Sequence, residues 1–289
     1  MTLAYFDCFA GASGDMLVGA LLDAGVDVEA WRRELAKLEL PDPYDLTVES
    51  VRKQGFAATK MTVWLGGKPA DAWPEGDHEH AHGHSHGHAH GHDHPHDHDH
   101  DHDHAHDHEH ARGHDHRSLR DILGLLERSP LPEQVVALSG RIFTRLGEAE
   151  AKVHGVPVGE IHFHEVGAVD AILDVVGFSL AYHMLGIDEA VVAPLVTGSG
   201  LVRCAHGTMP VPVPAVLELI RSSGAPTQAS PVTGEALTPT GAAILTTVAA
   251  RFGPMPAMQQ VTRTGYGAGT REGRHVPNVL RVVLGTPGV

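Results

Sequence analysis

The sequence predicts an α/β (or α+β) fold: helices packed on a mixed sheet, interrupted by a disordered histidine-rich insertion. Three observations predict it. Strand-like and helix-like runs intermingle along the chain without strict β-α-β alternation. Residues 45–53 and 57–65 alternate apolar and polar side chains around Gln54-Gly55, the pattern of an antiparallel pair. Between these and the next helical pattern the composition breaks: every even-numbered position from His78 to His110 is histidine, with alanine and one proline the only apolar residues interleaved.

Taken in order, residues 2–9 (TLAYFDCF) read as a short buried strand running into the turn Gly11-Ala-Ser-Gly14. From Asp15 an apolar helix follows, with a second short helix near 28–38. Beyond the strand pair and the histidine-rich segment, helical spacing returns at 118–127, 132–153 and 167–185. AVVAPLV at 190–196 reads as a strand leading to the loop Thr197-Gly-Ser-Gly200. PVPVPAVLELI begins extended, as its prolines require, and turns helical near Pro214. A helix over roughly 240–252 and strands at 259–266 and 277–284 complete the chain. The domain organisation expected is one globular core in two stretches, 1–72 and 118–289, with an arm at 73–117 between them.

The formal charge of −15 divides unevenly. Nine acids and one arginine lie between His78 and His116, so that segment carries −8 and the remainder −7. No cluster of Lys and Arg marks a nucleic-acid or anionic-membrane surface. With only Cys8 and Cys204 there is no disulfide framework, and no CxxC suggests a zinc knuckle. The first residues lack a basic start and carry Asp7 within the apolar run, unlike a secretory signal. No uncharged apolar run is long enough for a membrane helix. A reduced, cytoplasmic location is the expectation.

Nineteen of the 25 histidines fall in 78–116. Neutral imidazole binds nickel, copper and zinc well, and the interleaved carboxylates attract cations. Histidines such as His84, His92, His100 and His108 are therefore candidate metal ligands, with nickel the favoured ion. A solvated linker of incidental composition is the competing reading. An arm with nothing apolar to order it suits storage or delivery rather than catalysis.

Three constellations in the globular part carry candidate chemistry. In Phe6-Asp-Cys-Phe-Ala-Gly-Ala-Ser-Gly-Asp-Met16, a strand turning through small residues into a helix would present backbone N–H groups to an anion. A plain tight turn is the alternative, and no GxxxxGK[ST] loop exists. In His162-Phe-His164-Glu165-Val-Gly-Ala-Val-Asp170-Ala-Ile-Leu-Asp174, two imidazoles and three carboxylates fall within 13 residues. Asp170 and Asp174 share a helix face, which suggests a divalent-metal site or an acid/base cluster; cap acids and hydrogen-bonded histidines are the alternative. In Gly198-Ser-Gly-Leu-Val-Arg-Cys-Ala-His206-Gly207, Cys204 and His206 could ligate a metal, or His206 could act as a base. Gly234-Glu235-Ala-Leu-Thr238-Pro-Thr240-Gly reads as a capped helix start. Gly265-Tyr-Gly-Ala-Gly269-Thr-Arg271, with no helix after it, reads as a turn or a ligand-facing glycine ribbon rather than a dinucleotide fingerprint.

Together these five ordered blocks closely resemble the nickel-insertion proteins of nickel-pincer nucleotide cofactor biosynthesis, the lactate racemase maturation pathway, and the match runs along nearly the whole chain outside the arm. The resemblance implies a CTP-dependent nickel chelatase, of the lyase class. Its substrate would be pyridinium-3,5-bisthiocarboxylic acid mononucleotide, and Mg²⁺ or Mn²⁺ would accompany CTP. It places Gly11, Ser13, Gly14 and Asp15 at the substrate phosphate or a bound nucleotide. His162, His164, Glu165, Asp170 and Asp174 become candidate metal ligands, with Glu165, Asp170 and His206 as candidate catalytic groups. Longer members continue into a C-terminal domain associated with CTP. The expectation is that this domain is lacking here, the chain being either a truncated product or one half of a split protein whose C-terminal partner polypeptide supplies it, and the product then serves a nickel-pincer-dependent enzyme. A nickel storage or delivery chaperone without catalysis is the second reading.

Overall fold

The structure, a computed structural model, describes residues 1–70, 117–163, 168–204, 206–273 and 276–288. The histidine-rich arm, with His84, His92, His100 and His108, lies outside the described residues, as do His164 and Glu165.

The elements run β1 (Leu3–Asp7), α1 (Gly14–Asp23), α2 (Val28–Leu35), β2 (Tyr44–Lys53), β3 (Phe56–Leu65), β4 (Lys68–Pro69), α3 (Leu119–Arg128), α4 (Glu133–His154) and α5 (Val169–Met184). They continue with β5 (Glu189–Val192), β6 (Gly198–Ser199), β7 (Leu201–Cys204), β8 (Gly207–Pro210), α6 (Pro214–Ser223), β9 (Gly234–Glu235), α7 (Pro239–Val248), β10 (Ala249–Phe252), β11 (Met258–Ala268) and β12 (Val279–Pro287). The main sheet has the order β10-β5-β1-β12-β11-β3-β2, with β4 alongside β3. It is mixed: β1 runs parallel to β5 and antiparallel to β12, while β11 and β3 pair in parallel. The α/β reading with a mixed sheet therefore holds.

The alternating pair forms as its pattern dictates. Tyr44 faces Leu65 and Lys53 faces Phe56, closed by Gln54 and Gly55, both at positive φ, as a two-residue hairpin requires. Helix α1 is buried almost throughout because it lies between the sheet and α5. The glycines of β11 make that possible. A Cβ at Gly267 would stand 1.7 Å from the Met16 carbonyl oxygen, and one at Gly265 would stand 2.0 Å from that of Ala20. The ribbon at 265–269 thus faces a helix backbone across its first two glycines. Behind α1, the fully buried Trp31 of α2 donates its indole N–H to the Gly177 carbonyl of α5 at 2.9 Å.

Two elements differ from their sequence reading. The strand expected at 190–196 ends at Val192, because Pro194 has no N–H for a ladder. The helix expected over 240–252 ends at Val248, and Ala249–Phe252 becomes an edge strand parallel to β5. Helical spacing alone did not distinguish its last turn from a strand that packs on Val191 and Val192. Among the described residues no helix is long and apolar enough to cross a membrane.

Both ends of the chain around the histidine-rich segment are tied into this fold. Ala70 donates its N–H to the Val63 carbonyl at 2.8 Å. On the far side Arg117 pairs with Asp42, its carbonyl accepts from Phe163 N–H at 3.2 Å, and Ser118 starts α3 with a reciprocal cap to Asp121. The Ser118 hydrogen bonds hold the Asp121 carboxyl below its ordinary range.

Candidate functional site

The site grows from the end of β1. After Asp7 the chain enters a loop in which Gly11, at φ 100°, donates its N–H to the Cys8 carbonyl at 2.9 Å. No Cβ could sit at Gly11, since it would fall 2.0 Å from the Ala236 carbonyl oxygen. Ala12 donates to that same carbonyl at 2.8 Å, and Thr238 N–H returns a bond to Ala12 at 3.0 Å. The segment 234–238 is in turn held by the third block: Gly198 pairs with Glu235, and Ala236 N–H reaches the Thr197 carbonyl at 3.1 Å. Thr238 caps α7 by accepting from Gly241 N–H, so the capped helix start read in the sequence is present.

Helix α1 then begins at Gly14 with Asp15 in its first turn. The Ser13 hydroxyl donates to one oxygen of Asp15, and Lys60 Nζ donates to the other at 2.6 Å. Lys60 also reaches the Thr270 hydroxyl at 2.6 Å, which ties the first block to the fifth. At 8% exposure on β3, this ammonium is nearly buried, and its carboxylate partner makes that burial tolerable. The second block arrives on α5. Asp174 is packed so closely on Gly14 that a Cβ there would lie 2.3 Å from its Oδ2.

These contacts leave a cleft of about 240 Å³. Four carboxylates line it, those of Asp15, Asp170, Asp174 and Glu235, together with Ser13, Thr62, Thr238 and Thr240. No basic side chain is in the lining, and Ala70, the last described residue before the histidine-rich segment, is. The acids are spread around the wall: among the described residues no group of three or more His, Cys, Asp or Glu side chains converges as a ready-made metal cage. A divalent cation here would therefore draw much of its coordination from something other than the wall. On the other side of the 10–14 loop lies a smaller cleft of about 110 Å³, lined by Ala10, Thr233, Arg271 and Asn278 among others.

The structure thus brings together Ser13, Gly14, Asp15, Asp170 and Asp174, which the sequence left in two separate motifs, while Gly11 holds the loop from behind. It does not bring His162 or His206 to the cleft lining. His162 is exposed and bridges to Ser118, and His206 lies with its ring 5.0 Å from that of His154. Sequence reasoning missed Lys60, Thr62 and Glu235 as site residues. For Lys60 a signal existed: it sits on the same strand face as Ala58 and Thr62, where a lone lysine needs a partner. Cys8 is fully buried, which pushes its thiol up to about 12 and keeps it protonated at neutral pH. Both cysteines are free.

The fold and site define a class, an α/β protein with an acidic cleft assembled from dispersed glycine-rich blocks. The family model described as nickel insertion protein matches residues 4–288, and the chain belongs to that family. It is 44% identical over 285 residues to the pyridinium-3,5-bisthiocarboxylic acid mononucleotide nickel insertion protein of Desulfitobacterium hafniense, covering 99% of this chain and 58% of that one. Similar proteins of the same name from Geobacillus kaustophilus and Acetivibrio thermocellus are each 41% identical, with 99% of this chain and 60% of theirs covered. The chain thus spans about three-fifths of the length of these curated relatives. No solved structure matches it.

Proposed function

We propose that this chain performs the nickel-handling half of a metal insertion, with pyridinium-3,5-bisthiocarboxylic acid mononucleotide, the compound named for its relatives, as acceptor. The observation that carries this reading is the acidic cleft, which gathers the first, second and fourth blocks and has Ala70 in its wall. The histidine-rich segment is continuous in sequence with Ala70, so nickel it binds is carried on the same chain as the cleft and needs no second encounter. Asp170 and Asp174 take the incoming ion, and the two thiocarboxylates of the acceptor complete its coordination. Such an incomplete protein site suits an ion that must leave with its product. In the insertion step the ring carbon gives its C–H electron pair to nickel and releases the hydrogen as a proton. Asp170, or Glu165 a few residues before it, accepts that proton.

The lining does not suit a bare phosphate, because four carboxylates stand in it and no basic side chain does. The nucleotide phosphate fits better in the smaller cleft, where Arg271 and Thr233 can hold it and the one carboxylate in the lining, Glu272, is paired with Lys53. Gly11, Ser13, Gly14 and Asp15 then stand between phosphate and metal. The same four carboxylates disfavour a triphosphate in the acidic cleft. CTP and an accompanying Mg²⁺ or Mn²⁺ belong on this reading to a separate polypeptide or domain, and the metallated nucleotide passes to a nickel-pincer-dependent enzyme. The storage reading leaves the convergence of the blocks unexplained.

The test is reconstitution with precursor nucleotide, nickel, CTP and the C-terminal part of a longer relative. Nickel-bearing nucleotide is expected, and its formation should depend on Asp170 and Asp174. Tight nickel binding with no product under any of these conditions would leave only the storage protein.

A further inference from the structure

Away from the acidic cleft, two histidines from separate elements meet. His154 is the last residue of α4, and His206 lies in the turn that joins β7 to β8. Their ring centroids are 5.0 Å apart with the planes inclined at 46°. Glu150, one turn back on α4, places Oε2 3.6 Å from His154 Nε2. The His154 side chain is 27% exposed and His206 is exposed, so the pair is open to solvent.

We propose that His154 and His206 form a two-imidazole nickel site, a station that holds the ion loosely outside the insertion cleft. The spacing is the first argument. An imidazole whose nitrogen is about 2.1 Å from a divalent ion has its ring centre roughly 3.2 Å from it, so two rings at about 100° around one ion sit roughly 5 Å apart. The second is electrostatic. His154 ends a helix of 22 residues, where unpaired carbonyls give the negative end of the helix dipole and favour a cation. The third is Glu150, whose carboxylate 3.6 Å from His154 Nε2 adds negative charge beside the pair and favours a cation there. Imidazole donors select nickel, copper or zinc over calcium or magnesium. Two ligands alone leave most of the coordination sphere to water, so the ion binds weakly and leaves quickly, as a station on a route requires. The site rests on the proposed function only for the choice of nickel as its ion.

The test is a footprint on the full chain. Diethyl pyrocarbonate modification of each histidine is read by peptide mass spectrometry, without nickel and with nickel chloride added past saturation of the histidine-rich segment. His154 and His206 are expected to slow together, about fivefold once nickel exceeds the dissociation constant about fourfold, by mass action. The exposed His183 should not change. In His154→Ala the protection of His206 should vanish, and in His206→Ala that of His154. Rates unmoved by nickel would mean an aromatic contact only and overturn the proposal. Protection of either histidine that survives loss of the other would overturn it too. The footprint needs neither nucleotide nor CTP, so it stands or falls independently of the insertion assay.

Discussion

The two glycine-rich stretches, 11–14 and 265–269, look alike in sequence and do different work. In both, missing side chains let backbone come close to something. At 265–269 that something is α1: Gly265 and Gly267 leave room for the carbonyls of Ala20 and Met16. At 11–14 the neighbours are the Ala236 carbonyl and Asp174, so the same absence of Cβ draws a loop against the walls of a cleft. A glycine motif marks a close approach; the partner decides whether the approach is architecture or site.

This contrast can be broken by substitution. The largest effect is expected for Gly267→Val, whose side chain has only backbone to collide with. It should cost about 3 kcal/mol or more, read as a lowered denaturation midpoint or as failure to fold. Lys60→Met should cost about 3 kcal/mol, because it strands the Asp15 carboxylate without its ammonium beside the site. Gly14→Ala meets a side chain rather than backbone, so Asp174 can yield. It should cost about 1–2 kcal/mol but impair nickel-dependent product formation further than a core variant of equal stability outside the cleft lining, such as Val283→Ala on β12. Asp174→Asn, isosteric and half-buried, should leave stability within about 0.5 kcal/mol while reducing product formation about tenfold or more. Finest of all is the thiol count. Ellman's reagent at pH 8 should titrate Cys204 alone, with Cys8 reacting only in denaturant, since burial holds its thiol near 12. Rapid reaction of both in the native protein would put the loop after β1 in a more open state than described.

Much of the fold was legible because its signals are local. The hairpin around Gln54-Gly55, the helix from the 13–15 turn and the cap at Thr238 follow from residues within a few positions of each other. The over-long helix at 240–252 and over-long strand at 190–196 failed where a neighbouring strand or one proline set the boundary. The site was legible as motifs but not as a place. Nothing in the sequence joins Asp15 to Asp174 or Lys60 to Thr270; only the packing of α1 against α5 and β11 does. The histidines show the reverse: His206 stood out in its motif, yet it lies against His154 and outside the cleft lining.

The central claim is that insertion chemistry belongs to the acidic cleft and nickel supply to the histidine-rich segment. The direct measurement is nickel-bearing nucleotide formed against nickel concentration in the reconstituted reaction. Two variants are compared with the unaltered chain: Asp170→Asn with Asp174→Asn, and alanine at every histidine from 78 to 116. The account predicts that the aspartate pair abolishes product at all nickel concentrations, while the histidine variant shifts the curve to higher nickel and reaches the same plateau. Full product from the aspartate pair, or a plateau lost with the histidines, would contradict it.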